Sequence, residues 1–167
     1  MFNISKFSKF NDCKYGIGVG NCTDAITIAL RACKVGVGDD VITTSNTAVP
    51  TVTAIVNSGA SVKFIDINEY SLMDVSKLAN AITEKTKAIV PVHLYGQICE
   101  MNTIMELAKK NNLSVIEDCA QSHGATYFGK KAGSIGDIGC FSFYPTKIFG
   151  AYGDGGFIST NNEMLFD

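Results

Sequence analysis

One lysine, Lys147, lies in a stretch of aromatic residues and glycines, 141–156, that contains no other lysine. The apolar run 138–143 precedes it and is typical of a β-strand, so Lys147 is expected just beyond a strand end. Desolvation by neighbouring aromatic side chains would disfavour the ammonium form and leave an amine nucleophile, typically for a Schiff base. An ordinary lysine in a glycine-rich surface turn is the alternative.

A carboxylate, Asp118, ends a second apolar run, 115–118. Such a group can hold a pyridinium N–H and keep a cofactor ring electron-withdrawing. Gln121 follows three residues later, near enough to bond a ring substituent such as a phenolic oxygen. Asp118 could instead cap the short segment after it, and this alternative stays open.

A possible phosphate site lies at residues 20–24, where a helix is expected to begin. Backbone N–H groups and the helix dipole favour an anion there, although a helix capped by Thr23 or Asn21 needs no ligand. Ser142, five residues before Lys147, could reach the same phosphate or face solvent. A helix start, a strand-end carboxylate, a serine and an isolated lysine together fit pyridoxal 5′-phosphate (PLP).

Alternating strands and helices would position these residues. The expected strands are 14–19, 40–44, 62–67, 87–94, 113–117 and 138–143, and the expected helices are 25–34, 50–57, 74–82 and 100–111. The strands are near-continuous apolar runs, which predicts a mostly parallel sheet covered by helices on both faces. Ligands bind beyond the carboxyl ends of the strands in such three-layer α/β/α folds, and the candidate residues lie at those ends.

The composition indicates a globular domain with a substantial core. Hydrophobic residues make up 46% of the 167 residues and charged residues 18%, with a net charge of −2 and a mean hydropathy of +0.16. The charges are mixed along the chain, so neither a nucleic-acid groove nor an anionic membrane patch is expected. Residues 1–15 lack a signal-peptide core and no apolar run could span a bilayer, which predicts a cytoplasmic protein.

Three near-matches to other sites lack a required residue. The six cysteines contain no C-x-x-C pair and only two histidines are present, so no metal site is expected. The segment 124–131 resembles a phosphate loop, but Lys131 stands where Ser or Thr must bind magnesium. The glycine run 16–20 lacks the third glycine of the dinucleotide fingerprint, because Asn21 follows instead.

Five motifs, in order, resemble the sugar aminotransferases of the DegT/DnrJ/EryC1/StrS group. They are NCTDA at 21–25, GDDVIT at 38–43, VPVHLYG at 90–96, EDCAQ at 117–121 and FSFYPTK at 141–147. The resemblance covers nearly the whole chain. It implies a fold-type I PLP enzyme with an aspartate aminotransferase-like large domain.

The resemblance also implies a role for each motif residue. Lys147 would be the Schiff-base lysine and the catalytic acid/base. Asp118 would bind the pyridine nitrogen and Gln121 the ring hydroxyl, while the phosphate would be bound by Thr23, Asp24 and Ser142. Two positions depart from the family pattern: Cys22 replaces the usual glycine of the phosphate turn, and Ala48 replaces an aromatic residue that stacks on the ring in many members.

The implied reaction moves an amino group from an amino acid, expected to be glutamate, to a keto group of a nucleotide-linked deoxysugar for surface polysaccharides. The full-length form would be a homodimer. Family members are longer, so residues 1–167 are expected to form a partial large domain without the small C-terminal domain. Two alternatives remain: a non-catalytic truncated remnant, and a PLP-dependent sugar dehydratase, in which histidine would replace Lys147.

Overall fold

The computed structural model describes residues 4–166. The strands are β1 (Tyr15–Val19), β2 (Asp40–Thr44), β3 (Ser61–Ile65), β4 (Thr86–Val90), β5 (Ser114–Asp118), β6 (Thr126–Tyr127), β7 (Lys130–Lys131), β8 (Ile138–Ser142) and β9 (Gly156–Thr160). The helices are α1 (Ile4–Phe10), α2 (Cys22–Ala32), α3 (Val49–Ser58), α4 (Val75–Ala81), α5 (Met101–Asn111) and α6 (Glu163–Phe166).

Seven strands form the central sheet in the order β1-β9-β8-β5-β4-β2-β3. The pairs from β8 through β3 are parallel, whereas β9 runs antiparallel to both β1 and β8. The predicted mostly parallel sheet is therefore confirmed. Because β9 is reversed, its first residue, Gly156, lies at the same sheet edge as the carboxyl ends of β1 and β8.

Helices cover both faces of the sheet. Helices α2 and α3 bury Ile26, Leu30 and Ile55 against one face, and α4 and α5 bury Leu78 and Ile104 against the other. This arrangement confirms the predicted three-layer α/β/α architecture. Among residues 4–166, no helix is both long and apolar enough to cross a membrane.

The first helix, α1, was not predicted. Its central residue, Phe7, is buried among aromatic rings from β8, β9 and the segment after β8, with ring centroids 5.2 Å from Phe141, 5.0 Å from Phe143 and 4.9 Å from Phe157. Edge-to-face aromatic packing of this kind stabilises a short helix that its own sequence pattern does not specify.

The segment that resembles a phosphate loop is a β-hairpin. Strands β6 and β7 pair antiparallel, and the two residues between them, Phe128 and Gly129, have φ angles of 48° and 80°. Two consecutive left-handed residues form the turn that a two-residue hairpin requires. The glycine there serves the turn, in agreement with the rejection of a phosphate loop.

Candidate active site

A cavity of about 400 Å³ opens at the carboxyl ends of β1, β5 and β8 and the start of α2. We call it the strand-end cavity. Most of the predicted site residues line it, namely Thr23, Ala48, Asp118, Ser142 and Lys147. Asp24 and Gln121 are not among its lining residues. The cavity therefore lies beyond the strand ends, where the topology of the sheet predicts a ligand site.

Lys147 lies in a tight loop that returns to the sheet. Its backbone N–H donates to the Tyr144 carbonyl at 2.8 Å, and the loop closes where the Ala151 N–H donates to the Phe143 carbonyl at 2.8 Å. A Cβ atom at Gly150 would overlap the Pro145 carbonyl, so only glycine allows this closure. Lys147 itself is half-buried, and the expected aromatic wall is open because Tyr144 is 50% exposed.

Asp118 is buried at the base of the strand-end cavity. One carboxylate oxygen accepts the Thr51 hydroxyl at 2.7 Å and the other accepts the Ala120 N–H at 3.1 Å. Burial nevertheless raises the pKa of Asp118. No ion pair of the described residues involves this carboxylate. A cationic group in the cavity would therefore be stabilised beside Asp118.

A hydroxyl relay orients the Asp118 carboxylate. The hydroxyl oxygens of Thr47 and Thr51 lie 2.7 Å apart, and the single proton of Thr51 points to Asp118. Thr47 must therefore be the donor to Thr51. Both threonines belong to the segment 46–51 that also carries Ala48, so the start of α3 positions the carboxylate. The sequence analysis did not identify this relay.

The start of α2 also borders the strand-end cavity, and Asn21 caps this helix. The Asn21 side chain accepts the Asp24 N–H at 2.8 Å, so Asn21 rather than Thr23 is the N-cap. The first-turn N–H groups of Cys22 and Thr23 have no carbonyl partner within the helix. These two donors and the Thr23 hydroxyl form a site suited to an anion.

Gly156 brings the other predicted phosphate ligand, Ser142, next to this turn. In the sheet register, Gly156 pairs with Val19 of β1 on one side and with Ser142 of β8 on the other. A Cβ atom at Gly156 would overlap the Asn21 carbonyl, so the close approach requires glycine. The buried Ser142 hydroxyl accepts the Tyr144 N–H at 3.3 Å. Its proton therefore remains available for an acceptor in the cavity.

Two residues of the phosphate turn have roles that differ from the sequence-based picture. The Asp24 carboxylate accepts the Asn21 side-chain N–H at 2.9 Å and is exposed, so it holds the cap in place. Cys22 lies within the regular helix α2, and its side chain belongs to the buried core together with Ala25 and Cys140. The turn therefore forms without a glycine at position 22.

Gln121 lies at the edge of a neighbouring cavity of about 460 Å³, which we call the Tyr95 cavity. Its lining includes Tyr95, Gln121 and Ile148, and it shares Ala120, Thr146 and Lys147 with the strand-end cavity. The Gln121 carboxamide oxygen accepts the Tyr95 N–H at 3.0 Å. Because a backbone N–H can only donate, the Gln121 amide NH₂ is left to donate to another group.

His123 packs into the aromatic core. Its ring lies 5.5 Å from the Phe141 ring and 5.7 Å from the Phe143 ring. Burial lowers the pKa of His123 to about 4, so the imidazole is neutral at pH 7. His123 is not among the residues that line either cavity, and a structural role accounts for it.

Glu117 is a fully buried carboxylate that the sequence analysis did not single out. One of its oxygens accepts the Gly133 N–H at 2.9 Å and lies 2.9 Å from the His93 Nε2, and the other accepts the N–H groups of Ile135 and Gly136 at 2.8 and 2.7 Å. A glutamate inside an apolar strand was the signal that could have revealed it, because an ionised side chain there needs several donors.

His93 completes this network. The Cys99 backbone N–H donates to Nδ1 at 3.3 Å, so Nδ1 carries no proton. The ring is therefore neutral, with its proton on Nε2 directed at the Glu117 carboxylate. The polar atoms of His93, Glu117 and Cys119 lie within 4.8 Å of one another, but Glu117 has already filled its acceptor sites with hydrogen bonds.

Comparison with known proteins identifies the family of this chain. Residues 4–167 match the DegT/DnrJ/EryC1/StrS aminotransferase family. The dTDP-3-amino-3,4,6-trideoxy-α-D-glucose transaminase of Micromonospora megalomicea subsp. nigra is 48% identical over 160 residues, which are 95% of this chain and 43% of the relative.

Two solved structures extend the comparison. An aminotransferase from Psychrobacter cryohalolentis has a TM-score of 0.95 and 47% identity, and the match covers 97% of this chain and 41% of that one. The NtdA protein of Bacillus subtilis, solved with bound pyridoxamine phosphate (PMP), has a TM-score of 0.90 and 39% identity over 97% of this chain and 38% of its own. The chain spans less than half the length of these proteins.

The family match extends over every described residue, and the fold of the solved relatives agrees with it. PLP is the cofactor of the aminotransferases in this family. The chain belongs to the DegT/DnrJ/EryC1/StrS aminotransferase family.

Proposed function

We propose that this chain forms the PLP-binding part of an aminotransferase that moves an amino group from an amino acid, glutamate, to a keto carbon of a nucleotide-linked deoxysugar. One observation carries the proposal: a half-buried lysine and a buried carboxylate without an ion-pair partner face the same cavity as a helix start. We assign residues 1–167 to part of the large domain, in a protein that acts as a homodimer in the cytoplasm.

The residues present fit PLP, which when bound supplies an aldehyde and a ring that withdraws electrons. Asp118 would accept the N–H of the protonated ring nitrogen, which satisfies its unpaired charge. The helix start at Thr23 and the Ser142 hydroxyl would hold the phosphate, and the Gln121 NH₂ would donate to the ring oxygen. Ala48, which is exposed at the cavity, leaves one face of the ring more open than an aromatic residue would.

Lys147 would carry out the proton transfers. Lys147 lines both the strand-end cavity and the Tyr95 cavity, so its amine would reach a substrate carbon on one side and the cofactor on the other. A lysine in this place acts first as a base at the substrate carbon and then returns the proton as an acid. A lysine here also favours amino transfer over the dehydratase alternative, in which a histidine is expected.

Absorbance spectroscopy of the intact protein tests the proposal. Added PLP is expected to give a band near the visible edge that borohydride removes, and glutamate should convert the cofactor to its amine form. The amino sugar named for the Micromonospora relative should do the same from the sugar side. A protein that retains no PLP, or that releases a deoxysugar without amino transfer, would contradict the proposal.

Replacement of Asp118 by asparagine is expected to stabilise the apo-protein and to weaken PLP binding. Because burial raises the pKa of Asp118, its ionisation costs stability progressively as pH rises from about 4 through the raised pKa. Asparagine removes this cost, and Thr51 can reverse its hydroxyl to accept from the new amide. Loss of the charged hydrogen bond to the ring should weaken PLP binding by about 10- to 100-fold.

Urea unfolding of apo-protein at pH 7 and a PLP titration measure the two effects. Asp66→Asn is the matched control, because it removes only an exposed ion pair with Lys77 and should change neither quantity. A variant at Asp118 that is less stable as apo-protein and binds PLP normally would show that the carboxylate is structural.

A further inference from the structure

We propose that the Tyr95 cavity binds the pyranose ring of the nucleotide-linked sugar, with Tyr95 as the residue that stacks on it. This inference rests on the proposed function, since it names the part of the site that receives the sugar. The cavity measures about 460 Å³, a volume within the usual range of small-molecule sites.

The position of the Tyr95 cavity relative to Lys147 supports this assignment. Thr146 and Lys147 line both cavities, so a molecule in the Tyr95 cavity lies directly beside the amine that moves the proton. If PLP occupies the strand-end cavity, the Tyr95 cavity is the adjoining space from which a substrate carbon can meet Lys147. Ala120 also lines both cavities, and the neighbouring Gln121 lines the Tyr95 cavity.

The backbone holds the Tyr95 ring out at the cavity wall. Tyr95 has φ 56° and ψ 26°, a left-handed conformation that a bulky residue rarely adopts, and its side chain is 69% exposed. The hydrogen bond from its N–H to Gln121 fixes the turn on one side. On the other side, His93 is held by Glu117 and by the Cys99 N–H. A rigid turn therefore presents an aromatic ring that packs against little of the described chain.

The chemistry of the lining fits a sugar better than the amino acid. Tyr95 and Ile148 offer apolar surface for the C–H face of a pyranose, while the Thr146 hydroxyl can bond a sugar hydroxyl. Glutamate carries two carboxylates and requires cationic partners. Among the described residues that line this cavity, Lys147 is the only cation, and the proton transfers occupy it.

The test compares two amine donors on the same PLP-loaded intact protein. Glutamate and dTDP-3-amino-3,4,6-trideoxy-α-D-glucose each give their amino group to the cofactor and leave as keto compounds, so loss of the PLP band follows both half-reactions. Tyr95→Asn removes the ring while asparagine tolerates the left-handed backbone. We expect a fall of about 5- to 10-fold in kcat/KM for the amino sugar and less than about 2-fold for glutamate.

Two further variants separate stacking from other effects. Tyr95→Phe keeps the ring and should retain the rate with the amino sugar within about 2-fold. Phe128→Asn is the matched control, because Phe128 is also an exposed aromatic residue with positive φ, at 85% exposed and φ 48°, but lies in the β6–β7 hairpin. It should leave both half-reactions unchanged.

The outcomes distinguish this inference from the proposed function. Absence of the PLP band in the unaltered protein would overturn both. A normal band with equal losses for glutamate and the amino sugar in Tyr95→Asn would overturn the sugar assignment alone, as would no loss for either. If Tyr95→Asn lowers the melting temperature, Ile148→Ser on the cavity wall provides the second test. We expect the same selective loss of kcat/KM for the amino sugar in this variant. An unchanged rate with the amino sugar would contradict the inference.

Discussion

Replacement of Lys147 by alanine in the intact protein is expected to abolish the borohydride-sensitive attachment of PLP and to reduce amino transfer by at least about 100- to 10,000-fold. Lys147 is the only lysine that lines the strand-end cavity, so no other described amine can take its place there. The phosphate and Asp118 contacts remain, and we therefore expect PLP to bind without covalent attachment.

The control for this prediction is Lys130→Ala. Lys130 is an exposed lysine in the β6–β7 hairpin, so its loss should leave both the absorbance band and turnover unchanged. Mass spectrometry after borohydride treatment locates the attached cofactor. Attachment that persists in the Lys147 variant, or attachment to a different lysine, would show that Lys147 does not bind PLP covalently and would contradict its proposed role.

Glu117→Gln is expected to lower the free energy of unfolding by about 3–5 kcal/mol, although the two side chains have nearly the same shape. The Glu117 carboxylate is the acceptor for donors from His93, Gly133, Ile135 and Gly136. A glutamine offers one oxygen, and its NH₂ group would face donors that have no other acceptor. The loss is therefore electrostatic and not a change in packing.

The pH dependence identifies the cause. Burial raises the pKa of Glu117, but the hydrogen bonds from His93 and the backbone outweigh it and hold the pKa below its usual range. The stabilisation by the carboxylate is therefore present above about pH 4 and is lost as the pH falls through the depressed pKa. The difference between Glu117→Gln and the unaltered protein should shrink in acid.

Urea unfolding from pH 7 downwards measures this difference, with Glu106→Gln as the control. Glu106 lies on the exposed face of α5, so the same substitution there should change the free energy of unfolding by less than about 0.5 kcal/mol. Equal unfolding curves for the Glu117 variant and its control at pH 7 would show that the hydrogen-bond network contributes nothing to stability.

The Glu117 network also supports the candidate site. Glu117 lies one residue before Asp118, and the backbone N–H of its partner His93 donates to the Asp118 carbonyl at 3.0 Å. The same turn carries Tyr95, which holds Gln121. The segments that carry Asp118 and Gln121, the residues proposed to bind the cofactor ring, therefore both depend on the buried Glu117 carboxylate. A loss of cofactor affinity should accompany the loss of stability in Glu117→Gln.

Some features were predictable because they depend on neighbouring residues along the chain. The strands and helices follow from apolar periodicity, and β2 was predicted at its observed bounds, Asp40–Thr44. Where the predicted strand 87–94 extended too far, the continuous apolar pattern concealed the turn at Leu94–Gly96. A parallel order of strands then sufficed to place Asp118 and Lys147 at one sheet edge.

Other features depend on contacts between distant segments. Thr51 and Asp118 are 67 residues apart and His93 and Glu117 are 24 apart, and no local pattern records such pairs. The burial of Phe7 likewise requires the rings of β8 and β9. The sequence by itself determined the layered fold, the family and the lysine and carboxylate at the strand ends, because burial periodicity and motif spacing are local. Only the tertiary structure decided which hydrogen bonds orient those groups and that the site has two adjoining cavities, because register and side-chain pairing arise when the strands meet.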